Sequence, residues 1–157
     1  MRLLICGVRG STPASGPNFT KYGGHTPCIA LSRDGQAPTL VLDGGTGLQR
    51  LSEILGDQAF QGTILLGHLH WDHTHGLPFF PAATHPDANT TVVMPAQGDP
   101  YEILGRAFSP PHFPVKVMDL SGTWDLRNLD AGQHSIESYS VQALDVPHPG
   151  GRTFGYR

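Results

Sequence analysis

Residues 62–76 read GTILLGHLHWDHTHG, and this stretch decides the fold. Its first six residues, 62–67, are almost wholly apolar between two glycines, as in a strand that is buried on both faces. The strand leads directly into HLHWDH at 68–73, where three histidines and one carboxylate occur within six residues. We therefore expect a buried strand that ends at a chemically active cluster.

The spacing of this cluster predicts a metal site. Side chains two apart in an extended segment share a face, so His68 and His70 can bind one ion together. Asp72 and His73 follow the strand, where a turn can aim them at a second ion. Imidazole and carboxylate ligands favour zinc, iron or manganese without choosing among them. The alternatives are a structural metal site or histidines that cap a helix beginning near Asp72, but structural zinc sites typically use cysteine.

Composition limits the class of protein. The chain has 157 residues, of which 38% are hydrophobic, which suits one domain with one core. Its net charge is -3, and like charges do not cluster in runs. The charge pattern therefore gives no support for nucleic-acid binding, although it does not exclude a nucleic acid as substrate. Cys6 and Cys28 lie in apolar stretches and are expected to be buried thiols, as in a reducing compartment. With no apolar run long enough for a membrane span or signal peptide, we expect a cytoplasmic protein.

The remaining segments predict short strands, many turns and two helices. Glycine and proline are abundant at 20 and 14 residues, and they predict a long ordered loop over 9–26. We expect strands over 2–8, 28–33, 39–44, 62–67, 90–95 and, as one or two strands, 136–146, with helices over 48–55 and 101–108. The second and third strands should form a hairpin. This alternation favours an α/β sandwich with a mixed sheet over a doubly wound sheet.

The stretch HLHWDHTHGLPFF at 68–80 resembles the metal-binding signature of the metallo-β-lactamase superfamily. It is most similar to the branch that holds transfer-RNA 3′-end processing nucleases and related phosphodiesterases. Three further stretches resemble the same branch, at 7–28, 41–51 and 148–157. The resemblance implies an αββα sandwich of the metallo-β-lactamase type over 1–157, incomplete, with the first half and the start of the second.

Matched by position, the resemblance implies a dinuclear centre. His68, His70 and His148 would hold the first metal ion, and Asp72 and His73 would begin the second site. Two zinc ions, with manganese or iron as alternatives, would share a hydroxide that attacks the substrate without a separate side-chain base. From the residues alone, His148 between two prolines is equally compatible with an ordinary loop histidine.

Asp43 matches the branch's first characteristic carboxylate, so Asp43, Asp72 and His73 are our catalytic candidates. At a strand end, Asp43 can accept the free ring N–H of a ligand histidine, and the alternative is a cap for the next helix. The glycines that follow suggest a tight turn, or else N–H groups presented to an anion: Gly44, Gly45 and Gly47. Three further histidines in or beside loops are candidates for substrate contact or solvated side chains: His25, His75 and His112.

In this branch the sequence continues past the position of Arg157, into an aspartate that bridges the metals and a final histidine ligand. We therefore expect a first site of moderate affinity, a second that is weak or empty, and an exposed apolar face with an open sheet edge. The favoured interpretation is a fragment of a longer protein. The alternative is that another chain, or a second copy in a homo-oligomer, supplies the rest.

The predicted function is a metal-dependent hydrolase of a small-molecule or nucleotide phosphodiester, a substrate class that rests on the resemblance. One alternative is a hydrolase of thioesters or lactones on the same fold. The other is a non-catalytic module that binds metal or a nucleotide ligand.

Overall fold

The computed structural model describes residues 1–157, whose strands form two sheets. The larger sheet contains six strands in chain order, and the smaller one contains the last three. The strands are β1 (Arg2–Gly7), β2 (Cys28–Ser32), β3 (Leu40–Leu42), β4 (Gln61–Leu65), β5 (Asn89–Pro95), β6 (Thr123–Leu129), β7 (Gly132–Ile136), β8 (Tyr139–Asp145) and β9 (Phe154–Tyr156). The helices are α1 (Gly47–Leu55), α2 (Trp71–Thr74) and α3 (Pro100–Ala107), accompanied by four short 3-10 turns.

Strand direction in the larger sheet determines where the candidate site residues meet. The β1, β2 and β3 strands pair antiparallel, whereas β3, β4, β5 and β6 pair parallel. Parallel strands bring their carboxyl ends to one edge of a sheet. Val41 pairs with Ile64 and Leu42 with Leu65, so the residues that follow β3 and β4 leave that edge side by side.

The β4 strand is buried on both faces, as its apolar sequence predicts. Ile64 and Leu66 pack with α1 and the 3-10 turns, and Leu65 packs against the smaller sheet. Each of these three side chains is fully buried. The smaller sheet therefore covers the face of the larger sheet opposite the helices, and β4 lies at the centre of both cores.

The α1 helix confirms the predicted amphipathic pattern with one exception. Leu48, Leu51 and Leu55 are buried against the sheet, but Ile54 is 48% exposed. Ile54 lies at the margin of the apolar stripe, where the sheet no longer covers it. The helix ends before Gly56, as expected, and Gly56 has a φ of 61°, a conformation that suits glycine.

Three strands were not predicted from the sequence, and one of them, β7, shares only Ile136 with the predicted segment 136–146. The β6 strand contains Trp124 and Leu126 at a spacing of two, both buried, but Asn128 breaks the alternation after only two apolar residues. The β9 strand has only three residues and follows a glycine-rich loop. The predicted hairpin of β2 and β3 is confirmed, and Cys6 and Cys28 are both buried free thiols.

An apolar strip lies exposed on β1. The smaller sheet packs on the β3 to β6 side of the larger sheet, and Leu3 and Ile5 on the same face remain 52% and 56% exposed. This strip lies at an edge strand, where exposed apolar side chains favour association. None of the helices combines the length and apolar character that crossing a membrane requires.

Shortening a buried side chain of the central strand β4 should destabilise the protein strongly. Ile64→Ala leaves a cavity in the core and is expected to lower the free energy of unfolding by about 2 to 5 kcal/mol in urea denaturation. Ile54→Ala, with the same chemistry at an exposed site, should lower it by less than about 1 kcal/mol. Equal losses in the two variants would contradict the placement of β4 at the centre of the fold.

Candidate metal centre

Backbone contacts hold the chain at the point where β4 becomes the histidine cluster. The Gly67 N–H donates to Asp43 Oδ1 at 2.8 Å, and the Gly67 carbonyl accepts from Phe154 N–H at 2.8 Å. Gly67 is thus fixed on one side by the residue that follows β3 and on the other by β9. His68 is the next residue, so these contacts also fix where its side chain begins.

Three imidazoles converge here, from His68, His70 and His148. Their candidate ligand atoms all lie within 4.8 Å of one another. The His68 ring centroid is 4.5 Å from each of the other two, and His148 Nε2 lies 3.3 Å from His70 Nδ1. The structure therefore brings together two side chains from the strand end and a third that is distant in sequence.

Arg152 anchors the loop that presents His148. This loop connects β8 to β9, and its base closes through a hydrogen bond from Val146 N–H to the Thr153 carbonyl at 3.0 Å. Arg152 donates to both carboxylate oxygens of Asp145, at 2.8 and 3.1 Å, and to Asp130 at 3.2 Å. Sequence reasoning missed this network, although an acidic and a basic residue, Asp145 and Arg152, lie close to either end of the PHPGG stretch.

Asp43 and His73 form a close pair beside the three imidazoles. Asp43 Oδ2 lies 2.9 Å from His73 Nδ1, yet Nδ1 has no well-aligned hydrogen-bond acceptor. A small rotation of the ring would align the N–H with Oδ2, so the two groups are placed to form a hydrogen bond. Asp43 has a φ of 63°, a left-handed conformation that aspartate tolerates better than most side chains. It lies three residues before the helix cap Thr46, so it does not cap α1.

Asp72 lies on the other side of His73. Its Oδ2 is 3.5 Å from His73 Nε2 and accepts a hydrogen bond from Ser11 N–H at 2.7 Å. The long loop over 9–26 therefore reaches the site, a contact across 61 positions that no local pattern could indicate. Asp72 and His73 form a pair adjacent to the three-histidine group, and the His73 ring centroid is 4.0 Å from that of His68.

The surroundings shift the pKa values of the two central histidines in opposite directions. Burial, and then the charges of His73, His70 and His148, lower the pKa of His68 to about 4, so its imidazole is neutral at pH 7. Burial alone would lower the pKa of His73, but its hydrogen bond with Asp43 and the carboxylate charges outweigh burial and raise that pKa. A neutral imidazole has the free lone pair that a metal ligand needs.

The glycines after Asp43 serve close packing. The N–H groups of Gly44, Gly45 and Gly47 donate to the backbone carbonyls of His73, Pro27 and Thr26, so they are not free to bind an anion. A Cβ atom on Gly45 would lie 2.3 Å from the Asp72 carbonyl oxygen. The absence of side chains therefore lets the turn after β3 pack directly against α2.

The remaining candidate histidines lie outside the cluster. His25 Nδ1 is 3.3 Å from Thr46 Oγ1, a contact that ties the long loop to the start of α1. His75 stacks on Trp71, and His112 is exposed. None of the three belongs to the convergent group.

The donor set fits a divalent transition metal. Three imidazoles within one ion's reach are a common ligand set for zinc, and His68 is already in the neutral form that binding requires. The cysteines lie apart from these three side chains, packed in the core beneath α1. The arrangement can therefore hold one cation through nitrogen ligands, with Asp72 and His73 as further donors beside it.

Adding one methyl group next to the cluster should disturb it. Gly150 has a φ of 96°, and a Cβ atom there would lie 2.6 Å from His70 Nε2. Gly35 also has a positive φ, of 76°, but a Cβ atom there would meet nothing within 4 Å. Both alanine variants should lose about 1 kcal/mol of stability through backbone strain, but only Gly150→Ala should weaken Zn²⁺ binding, by about tenfold or more in a competition titration. Equal zinc affinities in the two variants would contradict this packing.

Comparisons with known proteins establish the fold. No protein-family model and no curated protein matches the chain. Among solved structures, a diphosphatase from the PhnP family is 16% identical with a TM-score of 0.66, over 99% of this chain and 61% of that chain. YhfI from Bacillus subtilis, a metallo-β-lactamase fold protein, is 14% identical with a TM-score of 0.63, over 99% and 57%.

The metallo-β-lactamase SMB-1, in complex with mercaptoacetic acid, is 19% identical with a TM-score of 0.55, over 85% of this chain and 52% of that chain. The chain thus spans between about half and three fifths of the length of these structures. At such identities the likeness concerns architecture, which agrees with the two packed sheets described above. The chain has the metallo-β-lactamase fold.

Proposed function

We propose that the chain binds a divalent metal ion, zinc in the first instance, through His68, His70 and His148. The observation that carries this proposal is the convergence of three imidazole ligand atoms within 4.8 Å of one another. Such convergence is unfavourable for protonated rings, and the depressed pKa of His68 keeps that ring neutral. A cation among the three lone pairs would stabilise the arrangement.

We assign Asp72 and His73 to a second, weaker metal position beside the first. Asp72 is held by the Ser11 N–H, and His73 is paired through Nδ1 with Asp43, which leaves His73 Nε2 to face the Asp72 carboxylate. A carboxylate on the far ring nitrogen orients an imidazole and raises its basicity as a ligand. Two protein ligands bind a metal more weakly than three, so the second position should fill only at higher metal concentration.

We further propose that the site belongs to a metal-dependent hydrolase of the phosphodiesterase type. The shared fold with a PhnP-family diphosphatase supports a substrate that contains a phosphoryl group. The shared fold with a metallo-β-lactamase supports a hydrolytic metal site in general. Because the chain spans 61% or less of these structures, the substrate class is a proposal for the whole protein.

Each side chain has a role in this activity. The bound metal would supply Lewis acidity, which makes water nucleophilic near neutral pH and stabilises negative charge on a phosphoryl oxygen. Asp43 fixes the ring of His73 and, through Gly67, the start of the cluster. Arg152 holds the loop of His148 in reach of the other two imidazoles. These contacts fix the positions of the ligands before substrate binds.

The activity is tested with bis(p-nitrophenyl) phosphate and added Mn²⁺ or Zn²⁺. We expect hydrolysis that chelation abolishes, and His148→Ala should lower kcat/KM by about 100-fold or more, because it removes a ligand from the first metal position. His85→Ala, which removes a histidine outside the cluster, should leave the rate unchanged.

Two results would contradict the proposal. Cleavage of a lactone or thioester without any phosphodiester turnover would replace the substrate class. A His148→Ala variant as active as the unmodified chain would show that the three-histidine group does not hold the working metal.

A further inference from the structure

A pocket of about 480 Å³ lies beside the histidine cluster and plays no part in the roles described so far. Its volume falls within the usual range for small-molecule sites. Its lining combines aromatic, cationic and aliphatic side chains: Trp71, His75, Ile103, Arg106, Ala107 and His112. Trp71 lies between His70 and Asp72 in the chain, so the segment that carries the cluster also forms one wall of the pocket.

Two stacked aromatic rings form one wall of the pocket. The Trp71 and His75 rings are nearly parallel, with 16° between their planes and 5.3 Å between their centroids. Trp71 is nevertheless 66% exposed. An exposed indole that a neighbouring ring holds in one orientation offers a flat apolar surface, and stacking a planar ring on it would be favourable.

The α3 helix contributes a cationic side chain to the pocket. Arg106 lies on α3 and makes no ion pair, and Glu102 one turn earlier does not contact it within salt-bridge distance. No carboxylate lines the pocket, although the chain as a whole has a net charge of -3. An unpaired guanidinium beside a histidine is suited to bind a phosphate through two hydrogen bonds.

We propose that this pocket binds a planar aromatic ring that carries a phosphate, as in a nucleoside monophosphate. The ring would stack on Trp71, and the phosphate would pair with Arg106, with His112 beside it. The assignment of this ligand as one half of a phosphodiester substrate rests on the hydrolase activity proposed above. The binding of the ligand itself does not depend on that activity.

The two tryptophans allow binding to be measured directly. Trp71 is exposed in the pocket, whereas Trp124 is 4% exposed in the core, so a stacked base should quench only the emission of Trp71. The titration uses the full chain and AMP, in excess EDTA so that no metal can bind the phosphate. We expect saturable quenching, with about tenfold weaker binding of adenosine, which lacks the phosphate.

Substitution of the arginine separates the two parts of the ligand. Arg106→Gln should weaken AMP binding about tenfold and leave adenosine binding unchanged. Arg50→Gln, which removes an exposed arginine from α1, is the matched control and should change neither. Ribose 5-phosphate should compete with AMP without quenching Trp71.

Several outcomes would overturn this inference: no saturable quenching by AMP, an Arg106→Gln variant that binds AMP as tightly as the control, or a Trp71→Leu variant that retains AMP in equilibrium dialysis. Each of them leaves the hydrolase proposal standing if bis(p-nitrophenyl) phosphate is still cleaved. AMP binding that depends on Arg106, in a chain without phosphodiester turnover, would instead support the pocket and refute the hydrolase proposal.

Discussion

The Asp43 carboxylate connects the sheet edge to the candidate metal ligands, and the geometry of the site depends on it. One oxygen accepts the Gly67 N–H where β4 ends, and the other lies 2.9 Å from the His73 ring. The parallel pairing of β3 with β4 makes both contacts possible, because it brings the ends of the two strands to the same edge. The left-handed backbone of Asp43 directs the chain into the glycine turn that packs against α2. Strain at such a position is tolerated where the surroundings hold it in place.

The smaller sheet completes the cluster from the other side. The β9 strand holds Gly67 through the Phe154 N–H, and Tyr156 donates its hydroxyl to the Leu66 carbonyl at 2.8 Å. Burial, together with the charge of Asp43, raises the pKa of Tyr156, so this hydroxyl stays protonated as a donor. The loop between β8 and β9 then reaches the cluster with His148. The candidate site therefore lies where the two sheets meet, and residues from both sheets are needed to form it.

Local patterns were sufficient for the parts of this arrangement that depend on neighbours in sequence. Three features can be read within short stretches of sequence. The apolar run predicts the buried strand β4, the apolar stripe predicts helix α1, and the spacing of His68 and His70 predicts two ligands on one face. The contacts of Ser11 with Asp72 and of Arg152 with Asp145 and Asp130 depend on how distant segments pack. No periodicity marks them. His148 was identified only through a family resemblance, because a histidine between two prolines has no local signal of its own.

The proposed activity requires that His68, His70 and His148 bind one metal ion together. X-ray absorption at the zinc edge, on the chain loaded with one equivalent of Zn²⁺, tests this most directly. We predict a first coordination sphere of nitrogen and oxygen at about 2.0 to 2.1 Å with three imidazoles, one of which disappears in His148→Ala. Sulfur ligands from Cys6 or Cys28, or an imidazole count that the substitution does not change, would contradict binding of the ion by the three imidazoles.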